Sequence, residues 1–162
     1  MPYELSKVRV LVLEDNGHMR KLLRSMLLAV GCGEVLDMAD AAQAYIKIKQ
    51  TPVDFAVVDW EIYPVSGLEF VRKIRTERDS PNQFLPIIMV TGHTERERVT
   101  KARDLGITEF LAKPISAQSL SQRIEELVDR PRPYIRTTSY FGPCRRRKRG
   151  GIFIGTERRQ PV

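Results

Sequence analysis

The chain has 162 residues, of which 42% are apolar and 29% are charged, and its formal net charge is +7. That length accommodates one domain of ordinary size with an appendage, and the apolar content is sufficient for a core. The longest apolar stretches, Met26–Val30 and Pro86–Val90, are too short to cross a bilayer, and Met1–Lys7 lacks the apolar run of a signal peptide. We therefore expect a cytoplasmic protein without membrane insertion.

The first part of the chain alternates a short apolar run with a helical pattern, twice. Val8–Leu13 is nearly all apolar, which is typical of a strand covered on both faces. Asn16 can cap the helix that follows, and Gly31 can end it. Glu34–Met38 is predicted to form the second strand and Ala41–Lys49 the second helix.

The same alternation then repeats three more times. The predicted strands here are Phe55–Val58, Ile87–Val90 and Glu109–Ala112, and the predicted helices are Gly67–Arg75, residues 94–105 and Ala117–Val128. Five β–α units with continuous apolar strands predict an α/β fold: a doubly wound parallel sheet with helices on both sides.

Polar residues follow four of the predicted strands. Glu14 and Asp15 follow the first strand, Asp59 the third, Thr91 the fourth and Lys113 the fifth. The carboxyl ends of parallel strands lie at one edge of the sheet, and ligands bind beyond that edge. We therefore expect these side chains to converge.

Three carboxylates that lie close together repel one another unless a cation is bound. Ligands that are all oxygen favour a hard ion such as Mg²⁺. A lysine and a threonine hydroxyl add donors that suit the oxygens of a phosphoryl group. The set predicts phosphoryl transfer onto Asp59, with Mg²⁺ and Lys113 neutralising the developing charge.

With these residues, positions 7–129 resemble the receiver domain of bacterial two-component response regulators, the CheY-like proteins. The resemblance is carried by Glu14-Asp15, Val57-Val58-Asp59-Trp60, Gly67, Val90-Thr91-Gly92 and Lys113-Pro114. It implies a flavodoxin-like (βα)5 fold, Mg²⁺ bound by Glu14, Asp15 and Asp59, and an aspartyl phosphate at Asp59.

The resemblance also implies a switch and a partner. In the switch, the Thr91 hydroxyl moves to the phosphoryl oxygen, and Phe110 matches the switch aromatic. The implied partner is a histidine kinase or a phosphotransfer protein. No separate substrate pocket is evident, so we expect no enzymatic activity beyond the receiver's own phosphorylation and dephosphorylation.

Two positions depart from the family pattern. The first acidic residue is Glu14, where Asp is commoner. The proline that usually stands fourth after the acceptor is the fifth residue here, Pro64, and Tyr63 takes its place.

The positive charge is concentrated in residues 130–162, which form a C-terminal extension. This segment has 10 Lys/Arg and one acidic residue, so it carries +9, whereas the first 129 residues carry −2. Prolines and glycines punctuate it and little periodicity is present, so we predict a mostly disordered basic arm. Thirty-three residues cannot form a winged helix, and DNA binding is not expected.

Aromatic residues and arginines interleave along the extension. Arginine pairs with guanine edges and phosphates and stacks on bases. The segment resembles the arginine-rich extensions of the Cle group, CheY-like proteins that bind cyclic di-GMP and act at the flagellar motor. The resemblance implies a cyclic di-GMP site and a flagellar motor switch protein as a partner. Its candidate residues are Arg136, Tyr140, Arg145, Arg146, Arg147, Arg149, Arg158 and Arg159.

Two other interpretations of the extension stay open. It can bind nucleic acid or an acidic protein surface, in which case binding weakens steeply with salt and shows little base preference. Alternatively it is a solvated appendage on a receiver that relays phosphate.

Overall fold

The computed structural model describes residues 4–92, 95–145 and 160–161. Five parallel strands form the central sheet: β1 (Arg9–Leu13), β2 (Glu34–Met38), β3 (Phe55–Asp59), β4 (Ile87–Thr91) and β5 (Glu109–Ala112). Their order is β2-β1-β3-β4-β5, which is the flavodoxin-like order. The predicted doubly wound α/β fold is confirmed.

Helices cover both faces of this sheet. They are α1 (Gly17–Val30), α2 (Ala41–Gln50), α3 (Gly67–Thr76), α4 (Arg96–Asp104) and α5 (Ala117–Asp129). Side chains of a strand alternate between faces, so Val58 packs with the cluster under α2 and α3, and Val57 packs with the cluster under α1 and α5. Both residues are fully buried, because the sheet is covered on both sides.

Helix starts follow local capping chemistry. The Asn16 side chain accepts a hydrogen bond from Met19 N at 3.0 Å, which confirms the predicted cap of α1. Helix α4 begins after Glu95, which makes no side-chain cap bond, and the predicted cap Thr94 lies outside the described residues. Within the described ranges, every helix is too short or too polar to span a bilayer.

The first part of the C-terminal extension is folded against the body, contrary to the prediction of disorder. Strands β6 (Tyr134–Arg136) and β7 (Phe141–Pro143) form an antiparallel pair, and β8 (Gln160–Pro161) pairs with the other edge of β6. Ile135, Tyr140 and Cys144 form a small buried cluster beneath this sheet. The rest of the predicted arm, residues 146–159 and 162, lies outside the described residues.

Arg75, near the end of α3, is the main anchor of the extension. Its side chain is only 3% exposed, and it donates hydrogen bonds to the carbonyl oxygens of Gly106, Gln83 and Leu85. Burial lowers the pKa of this guanidinium. Tyr134 packs its ring over Arg75, and its hydroxyl donates to the carbonyl oxygen of Phe84.

Charge pairs complete the attachment. Arg132 Nη2 lies 3.1 Å from Oε1 of the buried Glu109, which also pairs with Arg123 of α5. Arg145 Nη1 lies 2.6 Å from Oδ1 of Asp104, at the end of α4. Gly106, Phe84 and Glu109 precede or begin β4 and β5, so the extension covers the amino ends of these strands.

Candidate functional site

The predicted acceptor, Asp59, is the last residue of β3 and is buried at the carboxyl edge of the sheet. Its Oδ2 accepts a hydrogen bond from Lys113 Nζ at 2.8 Å, and its Oδ1 accepts one from the backbone N–H of Glu61 at 3.3 Å. The structure therefore brings Asp59 and Lys113 together, as predicted from their positions after β3 and β5.

Lys113 remains a cation in this setting. Burial alone lowers the pKa of Lys113, but the hydrogen bond that Lys113 donates to Asp59 and the charges of Asp59, Glu14 and Glu61 outweigh burial and raise it. A fixed positive charge beside a carboxylate nucleophile can stabilise the negative charge that develops during phosphoryl transfer.

Glu14 is the buried member of the acidic group, with an exposed fraction of 1%. Its Oε1 accepts a hydrogen bond from Asn16 N at 3.0 Å, while its Oε2 has no partner among the described residues. Burial raises the pKa of Glu14 to about 8, and the adjacent Asp59 carboxylate adds to this rise. Glu14 is buried, one of its oxygens has no hydrogen-bond donor among the described residues, and a second carboxylate lies beside it. A bound cation would therefore stabilise its charged form.

Asp15 is exposed, and its carboxylate is directed toward the loop after β3. Its Oδ2 accepts a hydrogen bond from the backbone N–H of Tyr63 at 3.1 Å, across the site. Among the described residues, no three acidic, His or Cys side chains are already gathered as a ligand set. Glu14 lies beside Asp59, and Asp15 Oδ2 is bonded to the loop after β3. The orphaned Glu14 oxygen and the oxygen-only donors nevertheless fit a hard cation.

The two predicted switch residues lie on β4 and β5. Thr91, the last residue of β4, is buried, and its carbonyl oxygen accepts from Lys113 N at 2.9 Å. Phe110 on β5 is half-buried and packs against the cluster on the α2 and α3 side. Because Asp59 is paired in register with Val90, Thr91 follows directly beside the acceptor.

Gly67 permits a close approach that shapes the site. A Cβ at this position would lie 2.0 Å from the carbonyl oxygen of Asp59, which is far inside contact distance. The loop after β3 can therefore return to α3 directly over the acceptor only because residue 67 has no side chain. Its backbone N–H donates to Trp60 O at 3.0 Å.

Three of the eight predicted cyclic di-GMP residues are described. The Arg136 guanidinium lies 4.6 Å from the ring centroid of Phe141, and that of Arg145 lies 4.7 Å from that of Tyr140. Tyr140 is buried and its hydroxyl donates to Pro143 O at 2.7 Å. The other five predicted residues, Arg146, Arg147, Arg149, Arg158 and Arg159, lie outside the described residues.

Two contributions to these sites were not predicted from the sequence. One is the backbone N–H of Tyr63; its signal in the sequence was the absence at this position of the usual proline, which has no N–H. Arg75 also carried a signal, because it follows Val71 and Ile74 on the apolar face of α3, where a charged residue needs an internal partner.

Comparisons with known proteins agree with this geometry. A family model for the response regulator receiver domain matches residues 10–125. The chain is 27% identical over 123 residues to the chemotaxis protein CheY of Pseudomonas aeruginosa, covering 76% of this chain and 98% of that protein. It is 29% identical over 122 residues to the CheY homolog of Campylobacter jejuni, covering 75% and 92%.

Solved structures show the same relationship. CheY4 of Vibrio cholerae superposes with a TM-score of 0.69 at 27% identity, covering 75% of this chain and 98% of that one. The receiver domain of a sensor histidine kinase from Pseudomonas aeruginosa, with a magnesium ion in its active-site cleft, gives 0.62 at 26% identity, covering 74% and 94%. The match over residues 10–125 shows that this chain belongs to the response regulator receiver family of two-component signalling, and that its receiver is of the CheY type.

Proposed function

We propose that the chain is a single-receiver response regulator that is phosphorylated on Asp59 by a histidine kinase or a phosphotransfer protein. The observation that carries this proposal is the 2.8 Å contact between Lys113 Nζ and Asp59 Oδ2, beside the orphaned oxygen of Glu14. An Asp59 carboxylate oxygen attacks phosphorus as the P–N bond to the donor histidine breaks. The resulting imidazole leaves with the bonding electron pair and takes up a proton.

Glu14, Asp15 and Asp59 would hold Mg²⁺, which supplies positive charge to phosphoryl oxygens when bound. Lys113, which donates to Asp59 Oδ2, stabilises the remaining negative charge that develops during phosphoryl transfer. Thr91 is the switch hydroxyl and Phe110 the switch aromatic. Thr91 lies on β4, the strand next to the acceptor strand β3, and Phe110 lies on β5, one strand further along, opposite Met89. This arrangement suits a change that begins at Asp59 and passes through β4 to β5.

The test is phosphorylation of the purified chain by a small donor such as acetyl phosphate, read by intact-mass spectrometry. We expect the mass gain of one phosphoryl group in the presence of Mg²⁺, and no gain after chelation or in Asp59→Asn. Asp129→Asn, an exposed carboxylate at the end of α5, is the matched control and should be modified normally. Equal modification of Asp59→Asn and the native chain would rule out Asp59 as the acceptor.

We further propose that the C-terminal extension binds cyclic di-GMP and thereby controls docking to a flagellar motor or kinase partner. The extension carries +9, and planar guanidinium groups match both guanine edges and phosphates. The guanidinium groups of Arg136 and Arg145 are already held over aromatic rings, which lowers the entropy lost when they bind. Tyr140 then acts by holding Arg145, since its own ring is buried. The CheY relatives, named as chemotaxis proteins, support a motility role.

Calorimetry with cyclic di-GMP tests whether the extension binds this ligand. The variant should replace Arg146, Arg147 and Arg149 by alanine in the full chain, because cutting at residue 130 would also remove the packed residues 130–145. We expect stoichiometric, guanine-selective binding by the native chain and little by the variant. Binding that falls steeply with salt and shows no base preference would favour the alternative, a nucleic-acid or acidic-protein ligand. Equal binding by both chains would remove the proposed role of these arginines.

Phosphorylation of Asp59 and cyclic di-GMP binding by the extension are expected to be separable. Asp59→Asn should lose phosphorylation but retain ligand binding, and the triple arginine variant should do the reverse. Loss of both activities in either variant would contradict independent inputs.

A further inference from the structure

A hydrogen bond links the two loops that flank the acceptor. The loop after β1 contributes Asp15, and the loop after β3 contributes the backbone N–H of Tyr63, which donates to Asp15 Oδ2 at 3.1 Å. Resting on the proposed Mg²⁺ site, we propose that Tyr63 is a positioning residue. Its backbone N–H holds the Asp15 carboxylate against the β3–α3 loop, where it competes with the cation for that ligand.

The donor side of this link is held firmly. Ile62, the residue before Tyr63, is 3% exposed and packs in the core cluster under α2 and α3. Trp60 N donates to Val90 O at 3.0 Å, and Gly67 N donates to Trp60 O at 3.0 Å. The loop is therefore fixed before and after Tyr63, and its N–H is presented at a defined place.

The acceptor side is fixed as well, up to the side chain. Arg20 Nη1 donates to the carbonyl oxygen of Glu14 at 2.9 Å and to that of Asp15 at 3.4 Å. These bonds set the backbone of the β1–α1 loop. The Asp15 side chain is the part of this loop that can still move. Its Oδ2 either accepts the hydrogen bond from the Tyr63 N–H or binds a cation.

Competition follows from this arrangement. Asp59 Oδ2 is engaged by Lys113, and Asp15 Oδ2 is engaged by Tyr63, so two of the three predicted ligands already have donors. A cation that draws Asp15 toward Glu14 and Asp59 must break or lengthen the bond to Tyr63 N.

The chain offers a clean set of variants. Tyr63→Pro removes the N–H at constant loop length, so Gly67 keeps its place against the Asp59 carbonyl. Tyr63→Ala keeps the N–H and removes only the exposed ring, so it is the matched control. Mg²⁺ titrations can follow the emission of Trp60, which is the single tryptophan and adjoins the acceptor.

A hydrogen bond of this exposure contributes roughly 0.5–1.5 kcal/mol, so we expect Mg²⁺ to bind about 2–10-fold more tightly to Tyr63→Pro. Tyr63→Ala should bind like the native chain. An unchanged or weaker affinity in a folded Tyr63→Pro chain would overturn the proposal.

A second readout needs no variant. In ¹⁵N-labelled native protein, saturating Mg²⁺ should shift the Tyr63 amide proton upfield and accelerate its exchange with solvent. An amide that keeps its position and protection in Mg²⁺ would contradict the competition. If the native chain binds no Mg²⁺ at all, the metal site of the proposed function fails and this role fails with it. If Mg²⁺ binds equally to the native and Tyr63→Pro chains, only the role of Tyr63 fails.

Discussion

The ring of Tyr134 lies over the Arg75 guanidinium, with 5.4 Å from Arg75 Cζ to the ring centroid. The same ring packs edge-on against Phe84 at 5.2 Å between centroids, and Phe84 in turn contacts Phe141 at 5.5 Å. Among the described residues, the buried Arg75 guanidinium donates to backbone carbonyls and to no carboxylate. The extension therefore completes the cover of a buried cation that belongs to the receiver.

Truncation should expose this dependence. A chain that ends at Asp129 loses the Tyr134 ring and the Arg132 partner of Glu109, whereas a chain that ends at Arg145 keeps both. We expect the shorter chain to be less stable by about 3–5 kcal/mol, since it uncovers Arg75 and weakens a buried ion pair. Urea unfolding of the two chains measures the difference. Equal stability would show that the packing of residues 130–145 contributes nothing.

The Arg75–Tyr134 contact can be isolated by a double-mutant cycle. Arg75→Met alone should lower the free energy of unfolding by about 3 kcal/mol, because the carbonyls of Gly106 and Leu85 lose their buried donor. Combining it with Tyr134→Leu should reveal a coupling energy of about 1–2 kcal/mol. Arg72→Met, on the exposed face of the same helix, is the control and should change stability by less than about 1 kcal/mol. Strict additivity of Arg75→Met and Tyr134→Leu would contradict a direct interaction.

Gly67→Ala should disturb the acceptor loop. Its Cβ would meet the Asp59 carbonyl oxygen at 2.0 Å, and the conflict is with backbone, which cannot rotate away. We expect a loss of about 2–4 kcal/mol in stability and at least about tenfold slower phosphorylation by acetyl phosphate. Gly17→Ala is the control, because its Cβ would have its nearest contact at 3.7 Å in the first turn of α1. A Gly67→Ala chain with native stability and rate would show that the loop yields easily.

Stability should depend on pH through Glu14. Its pKa is raised from 4.5 to about 8 by burial and by Asp59, so the native state retains a proton that the unfolded chain releases. The contribution of Glu14 is therefore fully present below pH 4.5 and declines as pH rises to about 8, by an amount on the order of a few kcal/mol.

Urea unfolding in a chelating buffer, compared between the native chain and Glu14→Gln, tests this. Glutamine imitates the protonated acid and should abolish the decline, so the difference between the two chains should grow with pH. A constant difference across this range would place the pKa of Glu14 near its ordinary value.

Most of the receiver was predictable because its signals are local. The runs at Val8–Leu13 and Phe55–Val58 match β1 and β3 to within one residue, since buried parallel strands must be apolar on both faces. The convergence of Asp59 with Lys113 followed from strand order alone. The position of the Asp15 carboxylate did not, because it depends on a backbone amide 48 residues away.

The packed part of the extension escaped prediction for a different reason. Strands β6 and β7 have only three residues each, and Pro133 and Gly142 beside or within them are typical of irregular chain. Their stability comes from tertiary contacts with Arg75 and Phe84, which no short window of sequence contains. The apolar residues Tyr134, Ile135, Tyr140 and Phe141 were the available sign that this segment needed a surface to cover.

The placement of the extension at the amino ends of β4 and β5 limits how its ligand could influence Asp59. Strands β4 and β5, with five and four residues, span about 13–16 Å at about 3.3 Å per residue, whereas mobile ions screen exposed charges within about 8 Å at physiological salt. A ligand bound at Arg136 or Arg145 would influence Asp59 through shifts of β4, β5 or α3, and not by direct electrostatic attraction. Any effect of the proposed cyclic di-GMP ligand on phosphorylation of Asp59 would therefore be mechanical, and its size would be nearly insensitive to ionic strength.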